Sequence, residues 1–125
     1  MTQNIPAPIT VLRGHTDAVN ALSFVSEFIL ASGSGDGEVK LWDLRTRRAA
    51  ITKKAHSHSI LSISSLHRSS QLVTSGRDGR VRVWSAECWS EPIMSMETGV
   101  KHFCGTATDS THAGQICALV LWVVR

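Results

Sequence analysis

Cysteine is scarce in this chain. The three present, Cys88, Cys104 and Cys117, are odd in number and form no close pair. That argues against a disulfide framework and against the paired-thiolate spacing of a structural zinc site. It fits a reducing compartment, so an intracellular location is expected, nucleus and/or cytoplasm. Long apolar runs are missing too. The longest, "ICALVLWVV" from Ile116 to Val124, has nine residues, against the ~20 of a membrane-crossing helix. The first ten residues, "MTQNIPAPIT", have neither the basic start nor the apolar stretch of a signal peptide. Helical periodicity is absent throughout. Charge is thin at 18% of residues, below the ~25% of ordinary globular chains. Acid is especially thin in one place: between Lys40 and Lys54 the six cations Lys40, Arg45, Arg47, Arg48, Lys53 and Lys54 meet the single acid Asp43.

What is present is a repeat. Forty-two residues separate Trp42 from Trp84, and the same interval separates Asp36 from Asp78, Gly37 from Gly79, Val39 from Val81 and Leu30 from Leu72. A period of this size is the mark of a repeat architecture. His15 and His56 lie 41 residues apart, so one extra residue stands between the second His and its strands. Each copy runs in the same order: a His, an alternating segment ("AVNALSF", then "SILSISSL"), a short strand, an Asp-Gly turn and a strand ending in Trp. Period-two alternation predicts strands. Asp-Gly between two of them predicts a hairpin, because the turn needs a positive φ that glycine accepts. A hydrophobic content of 42% is enough for a packed core, and 125 residues leave room for one domain.

These features resemble the WD40-repeat family. "RGHTDAVNALSF" with "LASGSGDGEVKLWDL" matches a full repeat, and "KAHSHSILSISSL" with "LVTSGRDGRVRVWSA" matches a second. The resemblance covers roughly residues 10 to 90 and implies an all-β fold, a β-propeller whose blades are four-stranded antiparallel sheets. Repeat 1 is expected over about 10–50 and repeat 2 over about 51–90. Two to three blades do not close a ring. The family's hydrogen-bonded tetrad maps onto His15, Ser32, Asp36 and Trp42 in the first copy and His56, Thr74, Asp78 and Trp84 in the second. The expected chain of bonds runs from the indole N–H to the hydroxyl, from the hydroxyl to the imidazole, and from the imidazole to the turn carboxylate. A Ser, a His and an Asp together also invite a hydrolase reading. A hydroxyl occupied by an indole donor, duplicated in two copies, argues for architecture instead, so no enzyme activity is expected.

Beyond Glu91 the pattern thins. "EPIMSMETGVKHFC", residues 91–104, is expected to supply an outer strand for the second blade and to begin a third. Residues 105–125 lack the Gly-His, the Asp-Gly turn and the closing Trp-Asp, and are expected to be irregular, foreign to the repeat, or alternatively a divergent third blade. The chain therefore reads as a truncated form of a longer propeller, prone to self-association through its open sheet edges. Trp89 reads as an outer-strand filler or a partner anchor.

Most proteins of this family are platforms for other proteins, which makes a non-enzymatic interaction scaffold the leading expectation. Two narrower readings stand beside it. "WDLR", Trp42 to Arg45, resembles the WDxR box with which WD40 substrate receptors dock on the adaptor of cullin-RING ubiquitin ligases; Asp43 and Arg45 would face that adaptor. "PITVLRGHTDAVNALSF", "WDLRTRRA" and "GRDGRVRVW" resemble the G-protein-β-subunit-like and ASTRA-associated group, which implies a co-chaperone complex that assembles phosphatidylinositol-kinase-like kinases. The cations Arg47 and Arg48 join Asp43 and Arg45 as candidate partner contacts, or serve as edge-strand charges that discourage aggregation. The basic segment lacks the aromatic interleaving that stacks nucleic-acid bases. No cofactor motif is present, and "HSH" (His56 to His58) makes a poor metal site, having no flanking Cys or acid.

Overall fold

The computed structural model describes residues 9–66, 71–85, 88 and 90–97, together with the backbone of strands over 104–111 and 114–121. Trp89, Trp122 and residues 98–103 lie outside the described residues. Two four-stranded antiparallel sheets and a two-stranded hairpin make up the fold, and the described residues contain no helix. The first sheet runs β1 (Val19–Phe24), β2 (Ile29–Ser34), β3 (Glu38–Asp43) and β4 (Arg48–Lys54) in spatial order. The second repeats it with β5 (Ile60–Leu66), β6 (Gln71–Gly76), β7 (Arg80–Ser85) and β8 (Met94–Glu97).

Local chemistry accounts for the meander. Each strand alternates or is rich in β-branched residues, and each connection is short enough to force antiparallel return. At the β2–β3 turn the Gly37 N–H donates to the Ser34 carbonyl at 3.1 Å, with Gly37 at φ 85°. Gly79 closes the β6–β7 turn in the same way at φ 80°. The repeat extends to an irregularity. Asn20 is the extra residue of a bulge in β1, and Leu61 is its counterpart in β5.

The core sits between the sheets. Ala31, Val39 and Leu41 of the first pack with Ala55 of the β4–β5 connection and with Ile60, Ile63, Leu72 and Trp84 of the second, all buried. Burying one large aliphatic side chain contributes ~1.5–3 kcal/mol, so this shared layer holds the two sheets together. Polar stitches flank it: Asn20 Nδ2 donates to Ser59 Oγ at 2.8 Å, and an Arg82 guanidinium N–H donates to the Ala55 carbonyl at 2.5 Å.

The irregular tail expected over 105–125 contains two strands among its described residues. β9 (Cys104–Thr111) and β10 (Gly114–Leu121) pair antiparallel in unbroken register from Gly114↔Thr111 to Leu121↔Cys104. A continuous apolar run of high β-propensity forms a strand without showing alternation, and period-based reading misses it. The hairpin's placement is informative. β9 lies alongside β5 and β6, as β5 lies alongside β1 and β2. It therefore stands where the next sheet of the series would begin. In the segment 91–104, β8 is the outer strand of the second sheet, pairing with β7 from Arg80↔Glu97 to Val83↔Met94.

Candidate functional site

The second repeat brings its four polar groups into one chain of bonds. Trp84 Nε1–H donates to Thr74 Oγ1 at 2.9 Å, and Thr74 Oγ1 lies 2.7 Å from His56 Nε2. His56 Nδ1 is 3.0 Å from Asp78 Oδ1 and 3.1 Å from Oδ2. One assignment of protons satisfies every member: the threonine hydroxyl donates to Nε2, and Nδ1–H donates to the carboxylate. His56 is thus neutral. Burial holds its pKa below the ordinary value, with the nearby Arg82 charge acting the same way and Asp78 pulling against them. Burial pushes the Asp78 carboxyl up, but the His56 hydrogen bond and the backbone N–H groups of Ser57 and Arg80 together hold it below its usual range.

The first repeat closes only three of its four groups. Trp42 Nε1–H donates to Ser32 Oγ at 2.8 Å, and Ser32 Oγ meets His15 Nε2 at 2.5 Å. Asp36 does not reach the imidazole. Its carboxylate instead accepts from the hydroxyls of Ser34 and Thr16 and from the Glu38 N–H at 3.1 Å. The Ser34 hydroxyl is the foremost cause of an Asp36 pKa below its usual range. His15 Nδ1 is left buried without a partner. The expected His15–Asp36 bond is therefore corrected, and the cause is a single side chain. Where the first repeat has Ser34 the second has Gly76, and a Cβ on Gly76 would lie 2.5 Å from the His56 ring. In the first repeat the Ser34 hydroxyl holds the Asp36 carboxylate instead. The comparison of Ser34 with Gly76 was available in the sequence and carries the signal.

Neither hydroxyl is a nucleophile for a solute. Ser32 and Thr74 are buried, at 2% and 0% exposure, and each accepts an indole N–H. The described residues also contain no group of three or more His, Cys, Asp or Glu side chains arranged to hold a metal ion.

The second cluster is at the far end of β3. Asp43 Oδ1 accepts from the Arg45 N–H at 2.9 Å and lies 3.5 Å from Arg45 Nε. That backbone bond is the largest cause of an Asp43 pKa below its ordinary value. The Arg45 guanidinium also sits 5.2 Å from the Phe28 ring centroid, a cation–π contact across the strand ends that the sequence did not announce. Arg47 follows at φ 60°, its N–H donating to the Asp43 carbonyl at 2.7 Å, and Arg48 begins β4. All four candidate contacts thus gather at one turn, with Arg45, Arg47 and Arg48 exposed.

The repeated four-stranded sheet and the closed tetrad of its second copy mark a repeat protein of the β-propeller class. The model of the "WD domain, G-beta repeat" family matches residues 6–43 and 49–85. The chain belongs to the WD40 family. It is similar to ASTRA-associated protein 1 of Schizosaccharomyces japonicus, at 44% identity over 81 residues, or 64% of this chain and 22% of that protein. It is also similar to guanine nucleotide-binding protein subunit beta-like protein 1 of Mus musculus, at 36% identity over 107 residues, or 79% of this chain and 33% of that protein. The crystal structure of the RRP9 WD40 repeats shares the fold with a TM-score of 0.65 at 18% identity, covering 70% of this chain and 28% of that one. The chain thus spans a fifth to a third of these relatives.

Proposed function

We propose that the chain is a non-catalytic protein-interaction platform of the WD40 type, acting inside the cell. One observation carries the reading. In the second repeat the polar groups that resemble a catalytic set are spent on one another inside the sheet, while the turn at Asp43–Arg48 presents exposed cations at the end of the β3–β4 hairpin. Rigid elements that present loops are what a binding surface requires. Cross-linking affinity purification of the 125-residue chain tests this. The expected result is a reproducible set of proteins, reduced in an Arg47→Glu, Arg48→Glu variant. Recovery of nothing above a bead control removes the reading.

A second reading is docking on the adaptor of a cullin-RING ubiquitin ligase through Asp43 and Arg45. It is favoured by an Arg45 guanidinium that is two-thirds exposed yet steadied by Asp43 and Phe28. Arginine's planar fork suits it as an interface anchor. Co-precipitation with the adaptor is expected to fall in Arg45→Ala; an unchanged yield dismisses the docking. Likeness to ASTRA-associated protein 1 supports a third reading, a part in co-chaperone-assisted assembly of phosphatidylinositol-kinase-like kinases. Purification that returns neither co-chaperone nor kinase counts against it.

A further inference from the structure

Among the described residues, each four-stranded sheet ends in an outer strand with one unpaired edge, β4 in the first and β8 in the second. The two edges differ in chemistry. β8 reads Met-Ser-Met-Glu and carries no cation. β4 has Arg48 at one end and Lys53 and Lys54 at the other, with Arg47 immediately before it. The nearby acids are already engaged: Glu38 pairs with Lys40 at 3.2 Å and Asp43 with Arg45 at 3.5 Å. Among the described residues Arg47, Arg48 and Lys54 form no ion pair, and all three are exposed.

The distribution of charge along β4 matters. Charge on an edge strand discourages indiscriminate pairing with other strands. Here the middle is Ala49, Ala50, Ile51 and Thr52, neutral and small or β-branched, and the charge is confined to the ends. Arg47 adds an independent sign. It is the only non-glycine residue with positive φ among those described, at 60°. A long side chain held in a conformation natural to glycine is a local cost retained at the surface, a feature that clusters at binding sites.

We propose that the free edge of β4 is a strand-addition site for an extended acidic peptide. The peptide main chain pairs with β4, and acids at its two ends meet Arg47 and Arg48 on one side and Lys54 on the other. This rests on the platform reading above and names the chemistry of a partner. Main-chain hydrogen bonds supply affinity in such complexes, and end charges supply register. Ala50 is a bulged residue, so Arg48 and Lys54 stand opposite Asp43 and Glu38, five strand steps apart, or about 17 Å at ~3.3 Å each, and the acids must stand about five residues apart. Both ends being cationic, the peptide can run in either direction. Nucleic acid is the poorer fit, because its phosphates follow one another without the four-residue neutral gap and the edge offers no aromatic side chain to its bases.

Fluorescence anisotropy on the full chain tests the proposal with the labelled peptide EETVTVEE. Comparison ligands are its isomer TVEEEETV, EETVTVEE methylated on alternate backbone amides, and a single-stranded oligonucleotide of equal charge. EETVTVEE is expected to bind at least tenfold tighter than either peptide control and tighter than the oligonucleotide. Arg48→Glu combined with Lys54→Glu is expected to weaken it tenfold or more. Arg47→Gly is expected to weaken it severalfold while raising the melting midpoint, which separates lost binding from lost fold. Equal binding of the methylated peptide overturns strand addition, since charge alone would then explain the contact. Tighter binding of the oligonucleotide overturns the choice of partner. Absence of EETVTVEE binding to a cooperatively melting protein overturns the edge assignment, and it leaves the platform reading standing if affinity purification still recovers partners.

Discussion

At the scale of single residues, the two repeats form a natural pair of variants. Both carry the same four polar residue types, except that serine replaces threonine as the hydroxyl, yet only the second links all four. The difference traces to Ser34 against Gly76, two residues after the hydroxyl and outside the tetrad itself. A buried donor without a partner costs ~1–3 kcal/mol, and His15 Nδ1 is such a group. Replacing serine with glycine costs ~0.5–1 kcal/mol of chain entropy within a strand. Ser34→Gly is therefore expected to raise stability by about 1 kcal/mol, the difference of these two effects. Urea denaturation measures it. The His15 pKa, now lowered by burial and by Lys40, should rise in that variant as Asp36 becomes its partner. A second expectation concerns pH. Folded His56 resists protonation below its ordinary pKa of 6.5, whereas unfolded His56 accepts it there. The unfolded chain then binds more protons, so stability is full above about 6.5 and is lost as pH falls from there toward the folded pKa. The lowered Asp78 pKa acts in the same direction at lower pH, below 3.8. A urea midpoint at pH 5 equal to that at pH 7.5 contradicts this.

At the scale of elements, the Asp-Gly turns do two jobs, and the sequence displays one. Gly37 supplies the positive φ of its hairpin. It also lies directly beneath the next repeat: its carbonyl accepts the N–H groups of Ala55 and His56 at 2.9 and 3.2 Å. A Cβ there would strike the His56 carbonyl and come within 2.6 Å of that of His58. Gly37→Ala combines a left-handed backbone penalty with backbone overpacking, and a loss of about 2–5 kcal/mol is expected from the two together. Thermal unfolding checks it; a shift of a degree or less would show that the turn yields freely. The alternating strands β1 and β5 and the Asp-Gly hairpins β2–β3 and β6–β7 were legible because each has a local chemical cause. β9 and β10 were not, because an apolar run without alternation has no period to read and its partner strand is dictated by pairing.

At the scale of the molecule, equivalent residues of the two repeats meet different surroundings. Register aligns Val19 with Ile60 and Leu22 with Ile63, and Phe24 with Ser65. Ile60 and Ile63 are 0% and 8% exposed, sealed against the first sheet, while Val19, Leu22 and Phe24 are 49%, 61% and 56% exposed. The same face of the repeat is therefore covered in one copy and open in the other. Open apolar area of this kind promotes association. Sedimentation velocity is expected to show mass rising with protein concentration, and Leu22→Lys with Phe24→Ser to reduce it. Serine already stands at the position equivalent to Phe24, so that change asks nothing new of the strand. A parent chain that stays monomeric across a hundredfold concentration range refutes the expectation.

Sequence alone determined the unit: its 42-residue period, its alternating strands and its glycine turns. These follow from interactions between neighbours in the chain, so composition and spacing record them. Tertiary structure alone decided that Asp36 turns to Thr16 and the Glu38 N–H in place of His15, that Arg45 leans on Phe28, that β9 and β10 pair beside β5, and which copy of a repeated face is buried. Each of these turns on how close two distant segments come, a quantity that spacing along the chain does not contain.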